Sequence, residues 1–416
     1  MADRAPTATP EIAPVALDGI LVADFSRVLA GPYATMLLAD LGADVVKVER
    51  PPDGDDTRAW GPPWSPDGQS TYYLGVNRNK RSVAVDLGTE EGLGLARALV
   101  ERADVVVENF KPGSMDRWGL GYDAVRIANP AVVYASITGF GRGAGADLPG
   151  YDLLVQAVGG LMSVTGPEPG RPTKVGVALV DVVTGLHAVV GVLAALRHRE
   201  RTGQGQRVEV NLLSSLLSAL VNQTSGFVAA GAVPQIMGNR HPSIAPYEVF
   251  ATADRPIVVA VGNDRQFGAL CTVLGRPELA ASQRFATNPA RVQARDELAA
   301  QLTALLAAES ADVWFERLTR AGVPCGPIND VADAVRLADS LGLAPVADAG
   351  GVPTVADPLD LSATPVRYAH RPPAVGADTD WLLGWLLERD PWGSGSAPTG
   401  WPAGPPAPGQ GPDGAR

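Results

Sequence analysis

The chain has 416 residues, 46% hydrophobic and 19% charged, with a formal net charge of -11. That length predicts two domains, and the composition excludes a largely disordered protein. So acidic a balance argues against non-specific nucleic-acid binding, which needs clustered Lys and Arg, but leaves room for a local basic pocket around one phosphorylated ligand. Two cysteines, Cys271 and Cys325, cannot build a disulfide scaffold and stand in no CxxC pattern, so a reducing cytoplasm is expected. The four histidines lack metal-ligand spacing, and no metal site is predicted.

Residues 1–17 read as a flexible lead without the apolar core of a signal peptide. The run 20–25 is a short buried strand, and 32–41 a helix with Pro32 in its first turn. Residues 44–48 (DVVKV) form the next strand, and Gly, Pro and Asp crowd a long loop over 51–70. A strand over 82–87, a helix over 89–101 capped by Thr89, and strands over 104–107 and 131–137 follow. Strands alternating with helices imply crossover connections and a largely parallel sheet.

A glycine-rich loop occupies 139–150. Helices are predicted over 152–158 and 181–199, the second apolar, with Arg197, Arg199 and Arg201 near its C-terminal end where the helix dipole favours cations. The uncharged stretch 211–228 reads as one further helix, buried in a core or an interface. The longest apolar run, 188–196, is too short to cross a bilayer, so no membrane association is expected. Beyond 230 an antiparallel pair (249–252, 256–261) and helices over 266–274, 291–308 and 311–321 suggest a smaller domain. The expected organisation is a large domain over 18–229, a small one over 230–325, a return segment over 326–389 completing the large domain, and a disordered Pro/Gly-rich tail over 390–416.

Several common site signatures are absent. The turn after the first strand reads Ser26-Arg27-Val28-Leu29-Ala30-Gly31-Pro32, without the GxGxxG of a dinucleotide fold. No GxxxxGK[ST] loop and no GxSxG elbow occur. Carboxylate chemistry remains. Asp181 opens the apolar helix, where free N–H groups stabilise an anion, and an ionised carboxylate can attack an activated acyl group. From its position alone a simple N-cap is the commoner reading.

Seven long segments stand out: DFSRVLAGPYATMLLADLGADVVKVERP from Asp24, NRNKRSVAVDL from Asn77, ADVVVENFKPGSMDRWGLGYD from Ala103 and GYDLLVQAVGGLMSVTG from Gly150. VDVVTGLHAVVGVLAALRHRERTGQGQRVEV from Val180, GNRHPSIAPYEVF from Gly238 and AGVPCGPINDV from Ala321 follow. In this order they resemble the family III coenzyme A transferases, a group that includes formyl-CoA transferase, carnitine CoA-transferase and the α-methylacyl-CoA racemases. The resemblance implies an α/β fold with a Rossmann-like large domain, a smaller α+β domain, and two subunits interlocked as rings. It implies that acyl-CoA and a carboxylic acid are the substrates, with no tightly bound cofactor. It also implies that Asp181, before Val182-Val183-Thr184-Gly185, is the nucleophile.

By the same resemblance, coenzyme A is held by Val28, Leu29, Ala30, Arg50, Val85, Asp86, Leu87 and Gly88, and by Asn109, Phe110, Lys111, Arg117, Tyr151 and Asp152. Arg50, Lys111 and Arg117 suit phosphates, and Phe110 suits the adenine or pantetheine arm. Where some relatives carry a cofactor-binding lysine just before the Tyr-Asp pair, this chain has Pro149.

Racemases of the group carry His where this chain has Tyr151, and tyrosine, with a pKa near 10, is a poor base at neutral pH. Their small-domain glutamate has only the shorter Asp264 as a counterpart, within Gly262-Asn263-Asp264-Arg265-Gln266-Phe267. The transferase reading therefore leads the racemase one, and leads that of a non-catalytic acyl-CoA-binding relative. Loops at 139–145 and near Gly262 are the expected covers that keep water from a reactive anhydride.

Overall fold

The structure is a computed structural model and describes residues 15–387. The expected tail 390–416 and most of the expected lead 1–17 lie outside them. Six strands, β1 Leu21–Asp24, β2 Asp44–Glu49, β3 Lys80–Ala84, β4 Val105–Glu108, β5 Val133–Thr138 and β6 Gln206–Asn211, form one parallel sheet. Their order is β3-β2-β1-β4-β5-β6. β1, β4 and β5 are buried along their whole length, as near-continuous Val-rich runs require when helices cover both faces. The order reverses between β1 and β4, and in open α/β sheets a crevice forms beyond the carboxyl ends of strands at such a switch point. Asp24 and Glu108 end those two strands, so the turns after them border the crevice.

Several elements differ from the sequence expectation, three of them in the first unit's sheet and the helices that follow it. β3 starts two residues earlier, at Lys80, and Val85 to Leu87 lie beyond it, with only the Val85 N–H reaching back to the Glu49 carbonyl at 2.9 Å. The expected helix over 211–228 is two helices, Leu212–Ala219 and Asn222–Ala230, separated at Val221, whose φ is +38°. Asn211 ends β6 and caps the first of them, its side chain accepting from the Ser214 N–H at 2.8 Å. β6 itself went unread because an edge strand with outward Arg207 and Glu209 lacks the apolar run of its neighbours.

The helix Leu179–Thr202 is the one described helix long and apolar enough to cross a membrane. The uninterrupted apolar run 188–196 is only part of it. Its buried residues Val180, Thr184, Ala188, Val192 and Leu196 recur every fourth position and face the sheet-bearing core. Two glycines permit that contact. A Cβ on Gly185 would fall 2.7 Å from the carbonyl oxygen of Ala30, and one on Gly191 would fall 2.6 Å from Cγ1 of Val208 on β6. It is a core helix, docked on the helix Ala30–Asp40.

Two compact units are present. The first runs to Val155 and includes Val177–Leu220 and the residues from Val346; the second is Gln156–Gly176 with Val221–Pro345. The second unit thus reaches past the expected limit of 325 and takes in 156–176. Its sheet is antiparallel, β7 Tyr247–Phe250, β8 Ile257–Ala260 and β9 Cys325–Pro327. Phe267, Leu270, Leu298, Leu302, Trp314 and Leu318 pack on it as a core. In the first unit the hairpin β10 Val346–Ala349 and β11 Val352–Val355 precedes the closing helix Thr379–Leu387. Asp378, just before that helix, accepts from the Ser82 N–H of β3 at 2.9 Å.

Candidate active site

The turn after β1 has its backbone held by side chains from elsewhere in the first unit. The Ser26 N–H donates to Asp24 Oδ1 at 2.9 Å, and the Ser26 carbonyl accepts from Lys47 Nζ at 2.8 Å. Asn109, just past β4, accepts the Arg27 N–H at 2.9 Å and donates to the Arg27 carbonyl at 2.7 Å. The Val28 N–H reaches both oxygens of Asp55, at 3.3 and 3.2 Å. Val28 has φ +70°, a left-handed conformation that costs a side chain with a Cβ about 1–2 kcal/mol. For a β-branched residue such a φ is a genuine outlier.

Asp55 and Lys47 pair at 2.9 Å and are both shielded from water. Burial presses Asp55 toward its neutral form, but the Lys47 charge and hydrogen bonds from Thr57 outweigh it and hold the carboxyl below its ordinary value. Burial likewise opposes charge on Lys47, and the carboxylates of Asp55, Asp24 and Glu49 overcome it, raising the ammonium pKa. Both groups are therefore ions at neutral pH.

A cleft of about 690 Å³ lies beside this turn, entirely within the first unit. Val28, Leu29 and Ala30 line one side; Asn109, Phe110 and Lys111 come from the turn after β4; Tyr151, Asp152 and Asp181 also line it.

A second cavity of about 330 Å³ holds Arg50, Val85, Asp86, Leu87 and Gly88, with Phe110 and Arg27 shared between the two. Arg117 borders neither cavity; it is exposed and donates to Ser114 Oγ at 3.0 Å. The Arg27 guanidinium lies 5.5 Å from the Phe110 ring centroid and pairs with Asp56 at 3.4 Å. Lys111 pairs with Asp147 at 2.8 Å, both exposed.

Asp181 sits in the first turn of the helix Leu179–Thr202, and its side chain does not cap that helix. The cap comes from Asp152, whose Oδ1 accepts the Val180 N–H at 2.8 Å and the Asp181 N–H at 3.3 Å. Burial, and then the Asp152 charge, push the Asp181 carboxyl up to about 7. Near neutral pH both its acid and its anionic forms are therefore populated.

Sequence reasoning missed four residues here. Lys47 and Asp55 support the turn, while Trp60 lines the cleft and packs edge-on against Tyr72, with centroids 5.2 Å apart. Burial pushes the Tyr72 phenol up to about 12, and the charges of Asp181, Asp152 and Asp55 add to that. The available signal was Trp60 in a loop rich in Gly, Pro and Asp, with Tyr72 in the short helix Thr71–Leu74 just after it. In the second unit, Asp264 is tied to the buried Arg291 at 2.8 Å.

The chain matches CoA-transferase family III over residues 17–379. It is 46% identical over 387 residues to a succinate–glutarate CoA-transferase of Agrobacterium fabrum, covering 90% of this chain and 96% of that one. It is 41% identical to a succinyl-CoA:glutarate CoA-transferase of Mus musculus, covering 90% and 87%. A CAIB/BAIF family protein from Brucella suis has a crystal structure that superposes with a TM-score of 0.81 at 42% identity, covering 90% of this chain and all of that one. The chain belongs to CoA-transferase family III, as an enzyme of the acyl-CoA:carboxylate transferase type.

Proposed function

We propose that the larger cleft binds the acyl-CoA thioester and that Asp181 is the nucleophile. The observation that carries this is a carboxyl at the cleft wall, in the first turn of a helix capped by another carboxylate, with its pKa raised to about 7. An Asp181 oxygen attacks the acyl carbonyl, the carbon–sulfur bond breaks, and CoA leaves as the thiolate, giving a mixed anhydride. The thiolate then attacks the aspartyl carbonyl and expels the donor carboxylate, leaving an aspartyl-CoA thioester. An acceptor carboxylate enters and the same steps run in reverse. The second cavity, with Arg50 and the 85–88 turn, takes the nucleotide end of CoA, and Phe110 stands between the two ends.

The names of the two relatives support a short dicarboxylic acid as acceptor and its CoA ester as donor. A tyrosine at 151 and the engagement of Asp264 with Arg291 favour transfer over racemisation. We also propose a homodimer, interlocked as the family resemblance implies. Exposed Phe227 and Val228, and exposed Val331, Val335 and Leu337 on the helix Val331–Ser340, supply apolar surface for it.

Intact-mass measurement after incubation with succinyl-CoA tests the mechanism. An adduct mapped to Asp181, trapped by hydroxylamine and absent from Asp181→Ala, is expected, and that variant should transfer no CoA. Substantial turnover by Asp181→Ala, free of wild-type enzyme, would sink the assignment.

A further inference from the structure

We propose that the buried Lys47–Asp55 ion pair is a positioning device that keeps Val28 in its left-handed conformation and so preforms the cleft wall facing Asp181. The proposal rests on the reading of the larger cleft as the acyl-CoA site.

Lys47 and Asp55 act on opposite ends of one turn. Lys47 Nζ donates to the Ser26 carbonyl at 2.8 Å and to Asp55 Oδ2 at 2.9 Å, and Asp55 accepts the Val28 N–H. The pair therefore bridges the two backbone groups that flank Arg27. Asp55 is itself fixed: it accepts from Thr57 N and Oγ1 at 3.0 and 2.7 Å, and its N–H donates to Glu49 Oε1 at 2.9 Å. With its neighbours held, the carboxylate cannot follow the turn if the turn relaxes.

A valine does not hold φ +70° by preference, because its branched Cβ crowds the backbone there. Replacing a buried ion pair by apolar residues is often tolerated in stability. An ionic pair at this place is thus better explained by the conformation it imposes than by stability. Without it Val28 should relax toward negative φ and carry Leu29 and Ala30 with it, and small displacements at a reacting centre slow a reaction strongly.

The test is a double-mutant cycle with full-length enzyme. Lys47→Met with Asp55→Leu removes both contacts together, while Asp24 keeps its pairing with Lys80 and Glu49 its pairing with Arg58. It should lower kcat at least tenfold and change KM for succinyl-CoA less than threefold, and hydrogen exchange over residues 26–30 should quicken. Glycine adopts positive φ freely, so in the presence of Val28→Gly the loss caused by removing the pair should shrink to threefold or less. Equal losses in both backgrounds, or unchanged exchange over 26–30, would overturn the proposal, because a purely structural pair would act regardless of the residue at 28. If the double replacement does not fold, Asp55→Asn offers a milder loss of charge, and the same dependence on residue 28 is required of it. Asp181→Ala, assayed alongside, separates the two ideas. If it retains transfer the cleft reading fails, whereas exchange over 26–30 still reports on the clamp by itself.

Discussion

Two walls of the same cleft are built in opposite ways. The 26–28 turn has its backbone groups taken up by Asp24, Lys47, Asn109 and Asp55, three of them buried. The 139–150 loop is held by its own short turns, Ala146 N–H to Gly143 O at 3.0 Å and Leu148 N–H to Gly145 O at 3.1 Å, and by pairs at or near the surface, Lys111–Asp147 at 2.8 Å and Arg142 with Asp116 and Glu209 at 3.2 and 3.6 Å. A Cβ on Gly139 would fall 2.5 Å from the Gly150 Cα, so the two ends of the loop meet closely. One wall is tied by buried ionised side chains, which water does not screen; the other rests on its own turns and on partly or fully exposed pairs, which water and salt weaken.

The largest effect should come from breaking the fixed side. Gly185→Ala drives a methyl toward the Ala30 carbonyl and the Tyr33 ring, so the helix bearing Asp181 must shift from the helix after the turn. A loss of about 1–3 kcal/mol in stability is expected from such overpacking. Activity should fall more than tenfold; unaltered kcat would mean that the register between those helices does not matter.

A middle-sized effect concerns pH. With Asp181 at about 7, kcat/KM should rise with pH through that value as the anion forms. Because the folded value lies above the ordinary 3.8, the carboxyl contributes stability at low pH that is lost as pH rises through about 7. Asp152→Asn keeps an acceptor for the Val180 N–H but removes a neighbouring charge, so the midpoint of the rate profile should move down. A midpoint that stays put would assign the raised pKa to burial alone.

The smallest effect is expected on the exposed side. Lys111→Ala removes an exposed pair worth ~0–1 kcal/mol. KM for acyl-CoA should rise a few-fold with little change in thermal stability, and the difference should fade at high salt. A large drop in Tm would show that the loop is as firmly built as the turn opposite.

Much of the frame was legible in the sequence. Val-rich runs separated by helical patterns gave the parallel sheet, because strands buried on both faces must be apolar at every position. The place of Asp181 in the first turn of an apolar helix was legible too, since that is a local pattern. β6 was not, because an exposed edge strand carries no such run. Nor was the break at Val221, where an uncharged stretch gives no sign of a left-handed residue.

What the tertiary structure decided is which side chains serve which backbone. Asp152 caps a helix that begins 27 residues later, Asp55 holds an amide 27 residues earlier, and Asn109 reaches back 82 residues to Arg27. Periodicity and composition report how each segment buries its own apolar face. Pairings at such separations exist only once the strand order has brought β1, β2 and β4 side by side, and that order is a property of the packed sheet.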